Sequence, residues 1–408
     1  MNYELLGKIY YKDNKHFNEI YTQRKTSFSA ESLDINILGS EAFYVNIPEF
    51  TIKISKLYKK FADLSKFCAE LPRVAYESYE RNCLVDEIIL TNDIEGIRST
   101  RKEIITVLDD DNRKPKKRRF DGLVWKYVLL LDDPENQYTV SLSSSKDIRS
   151  LYDEIVLDEI EPKNLPDGEI FRKDLAEVVS GTQQVKHVGV FPESKIIEYV
   201  DKSLALFEKE SIPVLYKIAI LHYMIGYIHP FYDGNGRLSR FISSYLLKQE
   251  FNALVALRLS YTIKNQKKDY YKAFDIANDP HNKGDLTHFI MYFIDVVEQS
   301  IDSLLEKLSD GKEILQYFSN ALNEKYSSLE PKERKKTQDV LWCLVQNELF
   351  SNESFDKKQL AKQLKTSGET AHRYIENLIK TGVPIEIIKD GRKNIYVLNI
   401  SELYTFLK

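Results

Sequence analysis

The stretch HPFYDGNGRLSR, His229–Arg240, is flanked on both sides by apolar runs, and that flanking decides how the chain folds around it. Before it, PVLYKIAILHYMIGYI (Pro213–Ile228) has Lys217 as its only formally charged residue and apolar side chains nearly all round. Such a helix belongs in the middle of a domain. After it, GRLSRFISSYLLKQE sets Leu238, Phe241, Ile242 and Tyr245 on one face, the pattern of a second packed helix. The quoted stretch is therefore a loop between two core helices that runs into a helix N-terminus.

That position suits an anion. The first amides of a helix lack intrahelical partners and carry the positive end of its dipole. Gly234 and Gly236 allow the backbone to approach a phosphate closely, and Asn235 between them brings a side-chain amide. Arg237 and Arg240 are three residues apart, so their forks share a helix face within reach of a polyphosphate. Asp233 stands just before the nest, where phosphates would repel it unless Mg²⁺ bridged the two. His229, with an ordinary pKa of about 6.5, takes a proton from an incoming hydroxyl when neutral. Phe231 turns inward as the loop's anchor. The set reads as nucleotidyl or phosphoryl transfer. A His-Pro helix stop and a Gly-Asn-Gly turn would account for each piece singly but not for their coincidence. The Walker-type G-x-x-x-x-G-K-[ST] is missing, which argues against a P-loop ATPase.

The stretch resembles the Fic family signature H-P-F-x-[DE]-G-N-G-R-x-x-R and matches all nine specified positions. The resemblance implies a helical core in which this loop joins two central helices, and transfer of AMP from ATP to a protein Ser, Thr or Tyr hydroxyl with release of pyrophosphate. It implies His229 as general base, Asp233 as Mg²⁺ ligand, and Gly234, Asn235 and Gly236 as the phosphate nest. Arg237 then contacts the β-phosphate and Arg240 clamps the γ-phosphate. The identity of the transferred group rests on the resemblance alone; UMP or phosphocholine transfer stays open.

Other stretches look like the same family. PDGEIFRKD (Pro166–Asp174) resembles the segment leading to its flap, and KHVGVFPE (Lys186–Glu193) resembles the flap, a β-hairpin that pairs with the target. Lys186, His187, Val188, Gly189 and Val190 would form that docking edge; an ordinary surface hairpin is an equal reading. Tyr270 and Tyr271 sit where the family places an aromatic against the base, with core packing as the alternative. GDLTHFIMYFI (Gly284–Ile294) looks like the closing helix of the core. TNDIEGIR (Thr91–Arg98) matches the family's inhibitory motif [ST]-x-x-x-E-[GN] through Thr91, Glu95 and Gly96 on a helix near residues 80–96. Glu95 paired with Arg240 would keep that arginine from the γ-phosphate and act as a brake. In some members the same glutamate helps water remove AMP, which stays open here. Members of this class associate through the Fic domain, so a homodimer is among the expectations, as is self-modification.

The remainder sets the frame. Across 408 residues, 58 Lys+Arg against 62 Asp+Glu leave a formal charge of -4, which gives no whole-chain case for nucleic acid or acidic membranes. Cys68, Cys83 and Cys343 are odd in number and far apart, which suits buried thiols in a reducing compartment. No secretory leader pattern and no membrane-spanning run is visible, so a cytoplasmic protein without a membrane partner is the default. Glycine and proline are sparse, and helical apolar spacing prevails, so the fold class is mainly α. LLGKIYY and HFNEIY around KDNK read as a small hairpin, FYVNI as a further strand, and the pattern turns helical from about Ile52. The basic run Asn112–Phe120 reads as a solvated loop, and SDGK (Ser309–Lys312) as the end of the middle domain.

Beyond it, KKQLAKQLK, TSG, ETAHRYIENLIKTG and two β-like runs around Asp390-Gly391 resemble a winged helix-turn-helix. Leu360, Ala361, Leu364, Ile375 and Leu378 would join its helices. Thr370, His372, Arg373, Asn377, Arg392 and Lys393 would face a DNA groove or a protein partner. The expected domains are 1–76, an N-terminal region with some β; 77–308, the Fic domain; and 313–408, the winged helix-turn-helix. A nucleotide-sensing DNA-binding regulator is the rival reading.

Overall fold

The computed structural model describes residues 3–110, 118–131, 139–179, 185–391 and 393–408. It is mainly helical. α1 (Leu6–Lys12) and α2 (Asn14–Lys25) lead into an antiparallel ribbon, β1 (Ala30–Ile37) and β2 (Ser40–Val45), followed by α3 (Pro48–Glu70) and α4 (Arg73–Ile94). Next come α5 (Arg101–Leu108), α6 (Asp121–Val128), α7 (Ser145–Ile155) and a hairpin of β3 (Glu177–Val179) and β4 (Val185–Val188). α8 (Glu193–Ala205), α9 (Val214–Ile228), α10 (Asn235–Glu250), α11 (Ala253–Ala256), α12 (Leu259–Asn265), α13 (Lys267–Ala277) and α14 (Thr287–Lys325) follow. The chain closes with α15 (Pro331–Phe350), β5 (Phe355–Asp356), α16 (Lys357–Gln363), α17 (Gly368–Lys380), β6 (Ile385–Asp390), β7 (Lys393–Leu398) and α18 (Ile400–Leu407).

Two compact units result, Met1–Phe61 with Leu84–Ile301, and Ala62–Cys83 with Asp302–Lys408. Their boundaries fall inside α3, α4 and α14 rather than at the expected 76/77 and 308/313. In the first unit α9 and α10 form the centre. Thirteen side chains of α9 are buried, Lys217 among them, its ammonium donating to the Phe207 carbonyl (3.2 Å).

The N-terminal segment is built into this unit and is no separate region. The Tyr44 and Phe50 rings pack against Tyr216 of α9 at 5.4 and 4.9 Å. Phe43 donates to Gly284 O (3.0 Å) and accepts from Leu286 N (2.8 Å), while the Val45 amide donates to Thr287 Oγ1 (2.9 Å). The reason is burial: Ala42–Val45 are apolar and buried, and a two-stranded ribbon has no second layer of its own to cover them. The hairpin expected around KDNK is instead the helix pair α1 and α2. Leu6 and Ile9 are buried at helical spacing, and Asp13 caps α2 by accepting from the His16 amide (3.4 Å).

In the second unit α14 runs unbroken through SDGK, contrary to the expected domain end. A Cβ on Gly311 would lie 2.3 Å from the Phe350 ring, so the glycine serves a close helix approach and stops nothing. Leu360, Ala361, Ile375 and Leu378 are buried between α16 and α17, and Leu364 is half-buried. Asp356 closes a capping box with Gln359 at the start of α16. β5, β7 and β6 form an antiparallel sheet in that order, and Gly391 turns the β6–β7 hairpin at φ +61°. Of the residues expected to face a partner, Arg373 and Asn377 are exposed, while His372 turns back to Tyr396 Oη (2.9 Å) and Thr370 accepts from Ser367 Oγ (2.9 Å). Lys393 pairs with Asp356 (3.2 Å). Arg392 and the basic residues of Asn112–Lys117 lie outside the described residues.

Truncating Phe50 to alanine tests the placement of the N-terminal segment. Removing a fully buried phenyl ring costs about 3–5 kcal/mol, read from denaturant unfolding of the first unit. A loss below about 1 kcal/mol would mean that this segment lies outside the core.

Candidate active site

α9 ends because His229 takes the left-handed conformation (φ 51°, ψ 62°), and Gly234 takes it again (φ 80°) just before α10 begins. Between them the chain folds back on itself. Asn235 Oδ1 accepts the Phe231 amide (3.0 Å) and its Nδ2 donates to the Phe231 carbonyl (2.8 Å). The Asn235 side chain, expected to offer its amide to a phosphate, is therefore committed to closing the loop. Its residue is buried and four positions from Phe231, the separation that lets one amide bridge both backbone groups. Phe231 points inward and stacks on Tyr152 at 3.6 Å, with Phe171 edge-on at 5.3 Å.

Asp233 is exposed, and its Oδ1 accepts the Gly234 amide (2.6 Å). No group of three or more His, Cys, Asp or Glu gathers for a metal among the described residues. A single exposed carboxylate beside a helix N-terminus nevertheless fits Mg²⁺, which keeps several waters and completes its shell from phosphate oxygens.

Both arginines are buried, at 1% exposure, and both already meet a carboxylate. Arg237 Nη1 donates to Glu159 Oε2 (2.7 Å), in the short 3-10 turn Leu157–Glu159, while its buried Nε has no partner among the described residues. Arg240 donates from Nε to Thr91 Oγ1 (2.8 Å) and from Nη2 to Thr91 O (2.9 Å), and Nη2 pairs with Glu95 Oε1 (2.8 Å). Gly96 (φ +76°) follows immediately and lets the chain leave α4 with Glu95 turned to the loop. The Glu95 carboxylate rests on the nest itself: a Cβ on Gly236 would lie 2.1 Å from Glu95 Oε1. Burial alone would lower the Arg240 pKa, but Glu95 and Tyr270 outweigh it and the net shift is upward.

The sequence assigns no individual role to three participants. Glu159 follows an acidic, loop-like run, and its carboxyl is pushed up by burial against the opposing charge of Arg237. Glu87 is fully buried, accepts the Ser260 amide on both oxygens (3.0 and 2.8 Å), and is pushed by burial to about 7. Arg172 donates to the His229 carbonyl (2.8 Å). A helix or loop position fixes none of these contacts; each depends on a distant segment.

Burial, then the Arg172 charge, push the His229 imidazole down to about 4, with Glu95 opposing and His187 adding to the fall. It is neutral at pH 7 and able to accept a proton. β4 pairs with β3 antiparallel, placing His187 opposite Val178 and Val188 opposite Glu177. His187 Nε2 lies 2.7 Å from Tyr227 O and its ring stacks on Tyr227, whereas Val188 is exposed. Gly189 donates to Ala176 O (2.9 Å) and Val190 to Ile228 O (3.0 Å), which holds this edge against the end of α9. Lys186 lies in β4, but its side chain is outside the described residues.

Tyr270 and Tyr271 part company. Tyr270 is a core residue whose hydroxyl meets His222 Nε2 (2.9 Å), so it is not a free platform for a base. Neighbouring helix positions point about 100° apart, and Tyr271 stays 45% exposed. His222, also held by Ser243 Oγ (2.8 Å), is pushed by burial to about 3.

Residues 142–247 match the Fic/DOC family. Over 98 residues, 24% of this chain, the sequence is 36% identical to the protein adenylyltransferase Fic of Drosophila grimshawi, and the same figures hold for that of Drosophila melanogaster. The match spans 18% of the length of those curated relatives. Among solved structures, a Fic family protein from Desulfovibrio desulfuricans G20 superposes with a TM-score of 0.52 at 17% identity, covering 88% of this chain and 98% of that one. This last likeness concerns the fold.

The depressed His229 pKa has a measurable consequence. In an NMR titration its imidazole is expected to stay neutral from pH 8 down to about 5 and to be half-protonated near 4. Because the unfolded chain binds that proton from about 6.5, the stability due to the neutral ring is full above 6.5 and is lost as pH falls towards 4. A midpoint near 6.5 would show that neither burial nor Arg172 acts on the ring.

Proposed function

We propose that this Fic domain transfers AMP from ATP to a hydroxyl of a protein side chain and rests in a self-inhibited state. The observation that carries the reading is the carboxylate of Glu95 on the α10 nest, against Gly236 and paired with Arg240. A site made for an anion holds an anion of its own chain.

In the active state Glu95 leaves, and the polyphosphate takes its place on the first amides of α10. Arg240 then clamps the γ-phosphate and Arg237, through its unpartnered Nε, meets the β-phosphate. Asp233 would hold Mg²⁺ against the phosphates, which supplies charge neutralisation there. The acceptor hydroxyl gives its proton to the neutral imidazole of His229 as its oxygen attacks the α-phosphorus. The new O–P bond forms, the bridging bond to the β-phosphate breaks, and pyrophosphate departs with that electron pair. The exposed Val188 side chain on the two-stranded β3–β4 hairpin supports docking of the acceptor segment by strand pairing.

The brake is electrostatic and steric at once. Glu95 occupies the place of a phosphate oxygen and neutralises the charge that would bind it, so every 1.36 kcal/mol of preference for the paired state suppresses transfer about tenfold. Reversal from 1:99 to 99:1 needs about 5.5 kcal/mol of differential binding by whatever releases it.

Three proteins compared with ATP labelled at the α-phosphate test the reading. Glu95→Gly is expected to raise label in protein about tenfold or more over the unaltered chain, and adding His229→Ala to abolish it. Equal labelling of the unaltered chain and Glu95→Gly sinks the brake; labelling that survives His229→Ala sinks the base. Competition by UTP or by a phosphocholine donor that erases the label would reassign the transferred group.

A further inference from the structure

Arg172, on the segment between α7 and β3, is fully buried, and among the described residues its guanidinium meets no carboxylate. Every bond of its fork goes to main-chain carbonyls. Nε donates to His229 O (2.8 Å), Nη2 to Val190 O (2.8 Å) and Ile228 O (3.2 Å), and Nη1 to Asp174 O. Its backbone amide donates to Pro230 O (3.3 Å). A buried cation without a counter-charge costs several kcal/mol, so what these carbonyls share matters.

Two of them close α9. The last carbonyls of a helix have no intrahelical partner and form the negative end of its dipole, where a guanidinium is favourable. Of the other two, one is Asp174 on the same segment and one belongs to Val190, beyond β4. Backbone 189 passes directly over the fork: a Cβ there would lie 2.4 Å from Arg172 Nη2 and 3.0 Å from His229 Cβ. His229, meanwhile, is a non-glycine residue in the left-handed region (φ 51°), a conformation that is sterically unfavourable and needs an external hold. The bond to its carbonyl sets ψ and with it the direction of the turn.

We propose that Arg172 is a positioning residue for the transfer reaction: its fork holds the left-handed turn that aims His229 and ties that turn to the segment after β4, so one side chain places both base and acceptor edge. The inference rests on AMP transfer with His229 as base. Three charged or titratable groups face that imidazole: Arg172, His187 of β4, and Glu95 just after α4. Loss of Arg172 removes the cation that most opposes protonation of the ring, so its midpoint rises.

The test uses the full chain in the Glu95→Gly background, with label transferred from ATP into the chain itself as the readout. Arg172→Gln and Arg172→Lys should each lower the transfer rate about 100-fold with the ATP dissociation constant changed less than about threefold. The His229 midpoint should rise by about one unit in Arg172→Gln and stay low in Arg172→Lys, separating fork geometry from charge. Added guanidinium, below denaturing concentration, should restore part of the rate to Arg172→Ala. Gly189→Ala perturbs the same contact from the other side and should lower the rate likewise if the arginine variants do not fold. A folded Arg172→Gln with unchanged rate and midpoint overturns the proposal, as does an unchanged rate in Gly189→Ala. If Glu95→Gly itself transfers no label, the AMP-transfer reading fails; the His229 midpoint and hydrogen exchange at the Val190 amide then decide whether Arg172 holds the turn.

Discussion

Two guanidinium groups buried within one helical turn repel each other and forfeit their hydration, so neither stays in place without an anion. At the start of α10 the protein meets this constraint with two glutamates from opposite directions, Glu159 on Arg237 and Glu95 on Arg240. The placement of the surrounding elements follows. α4 must pass close enough for Thr91 to accept two bonds from Arg240, and the turn after α7 must bring Glu159 within 2.7 Å of Arg237. The two pairs differ in exposure. The Glu159 side chain is 10% exposed and that of Glu95 30%, so the second pair is the one more open to solvent.

A comparable economy governs the other end of the loop. His229 is half-buried beside a cation, which lowers its proton affinity, while its own carbonyl accepts from that same cation. Local strain is thereby held by the fold rather than relieved. Phe231, stacked on Tyr152, and Asn235, bridging both backbone groups of Phe231, keep the intervening residues from relaxing into a longer helix. The loop is short and closed by its own side chains.

Much of this was legible beforehand, and the exceptions have physical causes. The apolar run before His229 announces α9, because a helix buried on all sides leaves almost no polar face, and the single apolar face of Leu238, Phe241, Ile242 and Tyr245 announces α10. The two left-handed positions around the loop were half visible, at Gly234 but not at His229. The segments of α1 and α2 read as strands in sequence because short aromatic-rich runs suit either state, and only the cap at Asp13 and burial within the unit settle it. Gly311 reads as a stop until Phe350 is seen beside it. Tyr270 and Tyr271 are equivalent as letters and opposite in environment.

Residue spacing along the chain raised the expectation of anion chemistry at the loop, since an imidazole, a carboxylate, two glycines and two cations fall within twelve consecutive residues. The family resemblance marked Thr91, Glu95 and Gly96 as a motif. What counter-charges each arginine, what caps α9 and which face each tyrosine shows were settled only in the folded protein. Those partners lie 78 residues away for Arg237, 149 for Thr91 and Arg240, and 57 for Arg172 and His229. Local sequence encodes backbone preference, whereas the neutralisation of a buried charge depends on whatever packing brings to within about 3 Å of it.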